Sequence, residues 1–263
     1  MRDCEAYELM QMTRGDRYPA ETPQQYILKE EEMANNPSHR APIIVCVDCS
    51  YSMRQENRLD KVLNGLRAFC RDMDRDELAR YSAELCLISY GGDYAKVECD
   101  FTAPDHIRIP ALKASGETPL ADAVELALEN WEKYKQRYED NGITWYRPWL
   151  ILIGDGEETG SQKQLEKAAQ RLKEETEEKH LNVLCVIVGD EDKVRKESSS
   201  LMQLAPDGKV QYLRDLKFQE FFGWLSRSIQ KNSRSLSGEE VFYEPTVNWA
   251  EILDCWEDDA GAV

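Results

Sequence analysis

An aspartate and two serines at alternate positions follow one of the most apolar segments of the sequence. The segment is 42–47 (PIIVCV), and the polar residues after it are Asp48, Ser50 and Ser52. Alternate residues of an extended turn project to the same side, so this carboxylate and these two hydroxyls can converge. Oxygen ligands of this kind suit Mg²⁺ or Mn²⁺ and do not suit zinc. The D-x-S-x-S spacing therefore indicates one part of a site for a hard cation.

Two further oxygen-bearing side chains occur at comparable places later in the chain. Asp155 follows the apolar run 149–153 (WLILI), and Thr118 stands before Pro119, where it can cap a helix. Ligands of open parallel sheets bind at the carboxyl ends of the strands, near the point where the strand order reverses. The sequence thus offers two carboxylates and three hydroxyls to one ion. Alone, a D-x-S segment is more often a turn or a helix cap.

The elements that must position these side chains alternate between strand and helix. The run 42–47 is continuously apolar and β-branched, which is typical of a strand buried on both faces of a parallel sheet. Further strands are predicted at 82–90, 95–101, 149–153, 182–188 and 210–213, and helices at 59–73, 119–138, 161–179, 191–204 and 218–229. This order predicts an α/β fold with a doubly wound, mostly parallel sheet, one antiparallel edge strand, and helices on both faces.

The composition suggests one folded domain with an extension at each end. The chain has 263 residues, of which 41% are hydrophobic, enough for a domain of about 200 residues. Residues 1–40 show no sustained periodicity and predict at most a short helix over 23–34. We expect the domain to span 41–235. Residues 236–263 carry eight acids and no Lys or Arg, which predicts an acidic tail.

Net charge and hydropathy exclude several classes of function. The formal charge of −17 disfavours binding to nucleic acid or to anionic membranes, because both require a basic face. The longest apolar runs are far shorter than the roughly 20 residues of a membrane span. Residues 1–16 show neither a basic segment nor an apolar core, so we expect no secretory signal and a cytoplasmic location.

The eight cysteines are better explained by packing than by metal binding. Most lie in apolar segments, where a free cysteine acts as a small hydrophobic residue. Cys46 and Cys49 form a C-x-x-C pair, but no second pair or histidine cluster completes a zinc site. In a cytoplasmic protein we expect no disulfides.

The order of the polar residues resembles the metal-ion-dependent adhesion site of von Willebrand factor A (vWA) domains. D-x-S-x-S, then a threonine before a helix, then Asp-Gly after a strand are its elements, and the resemblance covers about residues 41–235. It implies that Ser50 and Ser52 bind the ion directly, and that Thr118, Asp48 and Asp155 bind it directly or through water. It also implies that a Glu or Asp of a protein partner fills the open coordination position.

Within that superfamily, the local sequence is similar to the bacterial tellurite-resistance TerY-like branch. The similar segments are DCSYSM, SGETPLADAVELA, YRPWLILIGDGEE and DLKFQEFFGWLSRSIQKNSRS. The resemblance implies an adaptor in a stress-response or defence system, with a phosphatase or kinase encoded nearby as partner. The chain departs from the family pattern at Cys49, Tyr51 and Gly154. Tyr51 and Glu158 are expected to flank the mouth of the site and to influence partner choice.

A binding module fits the residues better than an enzyme does. The segment 154–161 lacks the spacing and the lysine of a P-loop, and no G-x-S-x-G elbow is present. A Mg²⁺-dependent phosphoester hydrolase remains open, because Asp48 follows a strand, although Ser50 stands where that chemistry needs a second acid. A structural adaptor that binds its partners without metal is the third hypothesis.

Overall fold

Seven strands form one sheet in the computed structural model, which describes residues 36–155, 158–189, 199–232 and 250–254. Numbered along the chain, they are β1 (Ala41–Asp48), β2 (Ala83–Gly91), β3 (Tyr94–Thr102), β4 (Trp149–Gly154), β5 (Asn182–Ile187), β6 (Lys209–Leu213) and β7 (Ala250–Asp254). Their order in the sheet is β3-β2-β1-β4-β5-β6-β7. The five inner strands are parallel, and β3 and β7 are antiparallel edges. The predicted fold class is confirmed.

The strand β7 is a difference from the expected architecture, because it lies within the segment predicted as an acidic tail. Its five residues pair with β6, from Lys209 opposite Asp254 to Leu213 opposite Ala250. Leu253 is 5% exposed and joins the core, whereas Ile252 is 52% exposed. A five-residue strand gives a weak signal in a segment dominated by acids, so composition concealed it.

Six helices in the described ranges cover the two faces of the sheet. They are α1 (Arg58–Arg75), α2 (Glu77–Ser82), α3 (Leu120–Asp140), α4 (Gln162–Glu177), α5 (Ser199–Leu204) and α6 (Phe218–Asn232), and a 3-10 helix spans Tyr51–Asn57. The helices α1, α2 and α6 pack on one face and α3, α4 and α5 on the other. None in these ranges is long and apolar enough to cross a bilayer. The predicted helix at 23–34 and most of that at 191–204 lie outside the described residues.

The strand β1 belongs to both hydrophobic cores of the domain. Ile43, Val45 and Val47 point to the α1 and α6 layer, and Ile44 and Cys46 point to the α3 and α4 layer. All five side chains are 0% exposed. Burial on both faces is the physical reason for the uninterrupted apolar run, because either face of the strand would otherwise carry polar residues.

A buried ion pair lies at the amino end of β1. Arg40 Nε donates to Glu84 Oε1 over 3.1 Å, and the Tyr138 hydroxyl donates to the other oxygen of that carboxylate. Arg40 is 1% exposed and Glu84 is 3% exposed. The guanidinium also donates to the carbonyl of Ser38. This network connects β1, β2 and the end of α3 at the amino ends of the parallel strands. The candidate metal ligands lie at the opposite side of the sheet, where these strands have their carboxyl ends.

Candidate metal centre

The two predicted carboxylates lie at the carboxyl ends of neighbouring strands. Asp48 is the last residue of β1, and Asp155 directly follows β4. These strands are paired in register, with Val47 opposite Ile153. From β1 the chain builds β2 and β3 on one side and then crosses to β4 on the other, so the strand order reverses here. The structure therefore places both carboxylates at the topological switch point, where open α/β sheets bind ligands.

Each carboxylate has a buried oxygen without a hydrogen-bond partner. Asp48 is 0% exposed, and its Oδ1 accepts the backbone N–H of Ser50 over 2.6 Å. Its Oδ2 and the Oδ1 of Asp155 are buried and accept no hydrogen bond. Leaving charged oxygens buried and unpaired is costly, and such charges in proteins are paired or bind metal ions. The two oxygens fit a divalent cation.

Burial and charge repulsion make Asp48 hard to ionise without a cation. Removal from water raises the pKa of Asp48 to about 7, and the negative charge of Asp155 adds to the rise. The hydrogen bonds from Ser50 oppose it and are too weak to restore the ordinary value. A bound divalent cation would reverse this balance, because it replaces repulsion between the two carboxylates by attraction to a shared charge.

Two hydroxyls adjoin the carboxylates. Ser50 Oγ and Ser52 Oγ are 2.9 Å apart, with Ser50 buried and Ser52 partly exposed. Between them, Tyr51 donates its backbone N–H to the carbonyl of Gly116, and its side chain is 65% exposed. The guanidinium of Arg54 lies 4.8 Å from the centre of the Tyr51 ring. The alternation predicted from the sequence is therefore present: the two serines face inward and the residue between them faces solvent.

Thr118 reaches the same edge of the sheet on a loop that is locked to the end of β1. Ser115 donates its backbone N–H to the carbonyl of Cys49 over 2.7 Å, beside the bond from Tyr51 to Gly116. Gly116 has a φ of +68°, and a β-carbon at this position would lie 2.4 Å from the α-carbon of Gly92. The turn therefore requires glycine both for its conformation and for its close approach to the β2–β3 turn. Thr118 itself is 5% exposed.

Thr159 holds Thr118 in place, and Glu158 holds the first turn of the helix that follows it. The hydroxyl oxygen of Thr159 accepts the backbone N–H of Thr118 over 2.8 Å, and Thr159 donates its own N–H to the carbonyl of Thr118. Glu158 accepts the backbone N–H of Ala121 in the first turn of α3. That Glu158 flanks the mouth of the site stays a prediction; both of its carboxylate oxygens accept backbone N–H groups, from Ala121 and Gly160. Thr118 was also expected to cap α3. The helix instead has Pro119 at its N-cap position without a side-chain cap, and Glu158 accepts the N–H of Ala121.

Among the residues that the structure describes, no cysteine or histidine side chain belongs to a group that could hold a metal. Cys46 and Cys49 are buried among apolar side chains, and burial raises the pKa of both thiols. Across the described ranges, no three or more His, Cys, Asp or Glu side chains form a group that could hold a metal. The site is thus of a different kind, with two carboxylates supplemented by hydroxyls.

Comparison with known proteins supports the fold. Residues 43–158 match the model of the von Willebrand factor type A domain family. No curated protein matches the sequence.

One similar solved structure is the vWF domain of the type V pili tip protein Mfa5 from Porphyromonas gingivalis. Its TM-score is 0.57 at 11% sequence identity, and the match covers 77% of this chain and 99% of that domain. Proximal thread matrix protein 1 of the mussel byssus is similar with a TM-score of 0.51 and 16% identity. That match covers 73% of this chain and 48% of the mussel chain, so this chain spans about half the length of that relative.

A second structure of the mussel protein has zinc in its metal-ion-dependent adhesion site (MIDAS). Its similarity to this chain has a TM-score of 0.44 at 18% identity, covering 75% and 46% of the two chains. The strand order, the switch point and the match over residues 43–158 lead to one conclusion. The chain has the fold of a von Willebrand factor type A domain.

Proposed function

We propose that this protein binds one Mg²⁺ or Mn²⁺ ion and uses it to bind a protein partner. Asp48, Ser50, Ser52, Thr118 and Asp155 would hold the ion. One observation carries the proposal: Asp48 Oδ2 and Asp155 Oδ1 are buried at one edge of the sheet without a hydrogen-bond donor. A hard divalent cation supplies the missing partner for both oxygens.

The donor set determines what such an ion can do. Two carboxylates neutralise its charge, and neutral hydroxyls complete its coordination without adding negative charge. A cation held in this way supplies an electrophilic coordination position for a Glu or Asp side chain of a partner. The exposed ring of Tyr51 lies between two of the ligands and offers the partner an aromatic contact.

The pathway is inferred from resemblance. Similarity to the TerY-like branch supports a non-catalytic adaptor in a bacterial stress-response or defence system, in the cytoplasm. The partner would then be a phosphatase or a kinase encoded nearby.

Titration calorimetry with Mg²⁺ and Mn²⁺ tests the metal centre. Wild type should bind one ion per chain, and Asp48→Ala should abolish binding. Asp93→Ala is the matched control, because Asp93 is an exposed aspartate at the same edge of the sheet. Absence of binding to wild type, or equal binding by Asp48→Ala, contradicts the proposal.

Affinity capture separates the proposed function from its alternatives. The partner should be captured with Mg²⁺, lost in EDTA, recovered when Mg²⁺ is restored, and lost with Asp48→Ala. Capture that persists in EDTA would support the metal-independent adaptor. Turnover of phosphopeptides or simple phosphoesters by wild type, abolished in Ser50→Ala, would support the hydrolase.

A further inference from the structure

The five candidate ligands come from three separate segments of the chain. Asp48, Ser50 and Ser52 lie within five consecutive residues at the end of β1. Thr118 and Asp155 come from two different loops, and neither loop contains a second candidate ligand. Both loops are anchored to the sheet, and direct contacts between the two loops further fix the position of these two ligands relative to each other.

Thr159 makes the first of these connections. It bonds to both backbone polar groups of Thr118, accepting from the N–H at its hydroxyl over 2.8 Å and donating to the carbonyl over 3.2 Å. The two residues are 41 positions apart in the sequence. Thr159 is exposed, whereas Thr118 is buried, so the contact fixes a buried ligand from the surface.

Glu158 makes the second connection. Its Oε2 accepts the backbone N–H of Ala121 over 2.6 Å, and its Oε1 accepts the N–H of Gly160 over 2.6 Å. The first contact satisfies a free N–H in the first turn of α3, where a negative charge also interacts favourably with the helix dipole. The second fixes the turn of its own loop. One carboxylate thus joins the loop after Asp155 to the helix that begins after Thr118.

We propose that Glu158 and Thr159 are positioning residues that hold Thr118 and Asp155 at the spacing a divalent cation requires. This inference rests on the proposed function. Without these contacts Thr118 would be anchored only through its neighbours Ser115, Gly116 and Glu117, and metal binding would have to order it further, which opposes binding. Residues that orient metal ligands typically contribute about 10-fold to 100-fold in affinity, although they do not touch the ion.

Calorimetric titration of Mn²⁺ into substituted proteins tests this inference. Thr159→Val keeps the branched shape and removes the hydroxyl, and it should weaken Mn²⁺ binding about tenfold. Thr159→Ser retains the hydroxyl and should bind within about twofold of wild type. Glu158→Ala should weaken binding by about tenfold or more. A loss of Mn²⁺ affinity by Thr159→Val with little change in melting temperature in EDTA is the outcome that a merely structural role for Thr159 would not produce.

A helix cap remote from the site provides the control. Asp76 accepts the backbone N–H of Ala79 at the start of α2 over 2.9 Å, as Glu158 does for α3. Asp76→Ala should lower the melting temperature in EDTA about as much as Glu158→Ala and leave Mn²⁺ affinity unchanged. If Asp76→Ala weakens Mn²⁺ binding equally, the effect of Glu158 is one of general stability and the inference is overturned.

The outcomes distinguish this inference from the function on which it rests. If wild type binds no Mn²⁺, both are wrong. If wild type binds and Thr159→Val binds equally tightly, the positioning role is wrong and the metal centre stands. Should Glu158→Ala fail to fold, the two Thr159 variants decide, because they alter one exposed side chain.

Discussion

The hydroxyl of Tyr90 occupies the space into which a side chain at Gly154 would extend. Tyr90 is 1% exposed and donates this hydroxyl to the carbonyl of Ile153 over 2.9 Å. A β-carbon at residue 154 would lie 2.5 Å from the hydroxyl oxygen and 3.0 Å from Oδ2 of Asp48. Glycine at the end of β4 and tyrosine at the end of β2 are therefore a matched pair beside the candidate ligand Asp48, which is opposite Tyr90 in the β1–β2 pairing.

The first prediction concerns this pair. Gly154→Ala should destabilise the protein by about 1–3 kcal/mol, because the added methyl group overlaps the Tyr90 hydroxyl. Tyr90→Phe should also destabilise, by about 1 kcal/mol, since the carbonyl of Ile153 loses its donor. The double variant should lose less free energy of unfolding than the two single variants lose together, because phenylalanine removes the overlapping oxygen. Urea denaturation of all four proteins measures the coupling, and strict additivity would show that the overlap is relieved elsewhere.

The second prediction concerns Asp48 in the absence of metal. An unfolded aspartate ionises near pH 4, whereas the pKa of Asp48 in the folded, metal-free protein is raised to about 7. Between these values the unfolded chain has lost its proton and the folded protein has kept it. The free energy of unfolding therefore falls as pH rises from about 4 to 7, by a few kcal/mol at most.

Asp48→Asn lacks this penalty. In EDTA at pH 8 it should be more stable than wild type, and the difference should shrink towards pH 5. Mg²⁺ should stabilise wild type at pH 8 much more than it stabilises Asp48→Asn. Urea denaturation at the two pH values checks this, with Asp93→Asn as the exposed control. A wild type as stable as Asp48→Asn in EDTA at pH 8 would contradict the prediction.

The third prediction separates folding from metal binding. Glu84→Ala leaves the buried guanidinium of Arg40 without its carboxylate, which should cost about 3–5 kcal/mol. Replacing both residues by methionine should cost less than this, because no charge then remains buried. Mn²⁺ affinity of the folded double variant should stay within about twofold of wild type, because the ion pair lies at the opposite edge of the sheet from Asp48. A large loss of affinity would show that the two edges are coupled.

The fourth prediction concerns β7 and uses two adjacent residues. Leu253→Ala should destabilise the protein by about 2–3 kcal/mol, since its side chain is 5% exposed in the core. Ile252→Ala should change stability by less than about 0.5 kcal/mol, because that side chain is half-exposed on the same strand. Thermal or urea unfolding measures both. Equal effects would indicate that β7 does not pair with β6 in this register.

The sequence predicted the architecture because the inner strands are buried on both faces. The runs that became β1 and β4 contain no polar residue before their ends, and only a covered parallel sheet accommodates such runs. Their carboxyl ends could then be placed at one edge from topology alone. The five candidate ligands were predicted from five positions that occur in order along the chain, and their role as ligands stays a prediction.

The parts that could not be predicted depend on contacts between distant segments. Glu158 was predicted only to flank the mouth of the site, because nothing local indicates that its carboxylate reaches the first turn of α3. The fit between Tyr90 and Gly154 joins residues 64 positions apart and has no local signature either. Only Gly116 gave a partial signal, since glycine commonly marks a turn, but its close approach to Gly92 required the structure.

The strand β1 has a further consequence for how this protein can change. It begins after the buried Arg40 and ends at Asp48, and its residues from Ile43 to Val47 alternate between two filled cores. Inserting or deleting one residue within β1 would turn the side chains beyond that position to the opposite face of the sheet. It would also change the distance between the Arg40–Glu84 ion pair and the candidate ligand Asp48. Substitutions of similar volume can be tolerated along β1, whereas changes of length cannot. The length of β1 therefore fixes the distance between the buried ion pair and Asp48, and neither end of the strand can shift without the other.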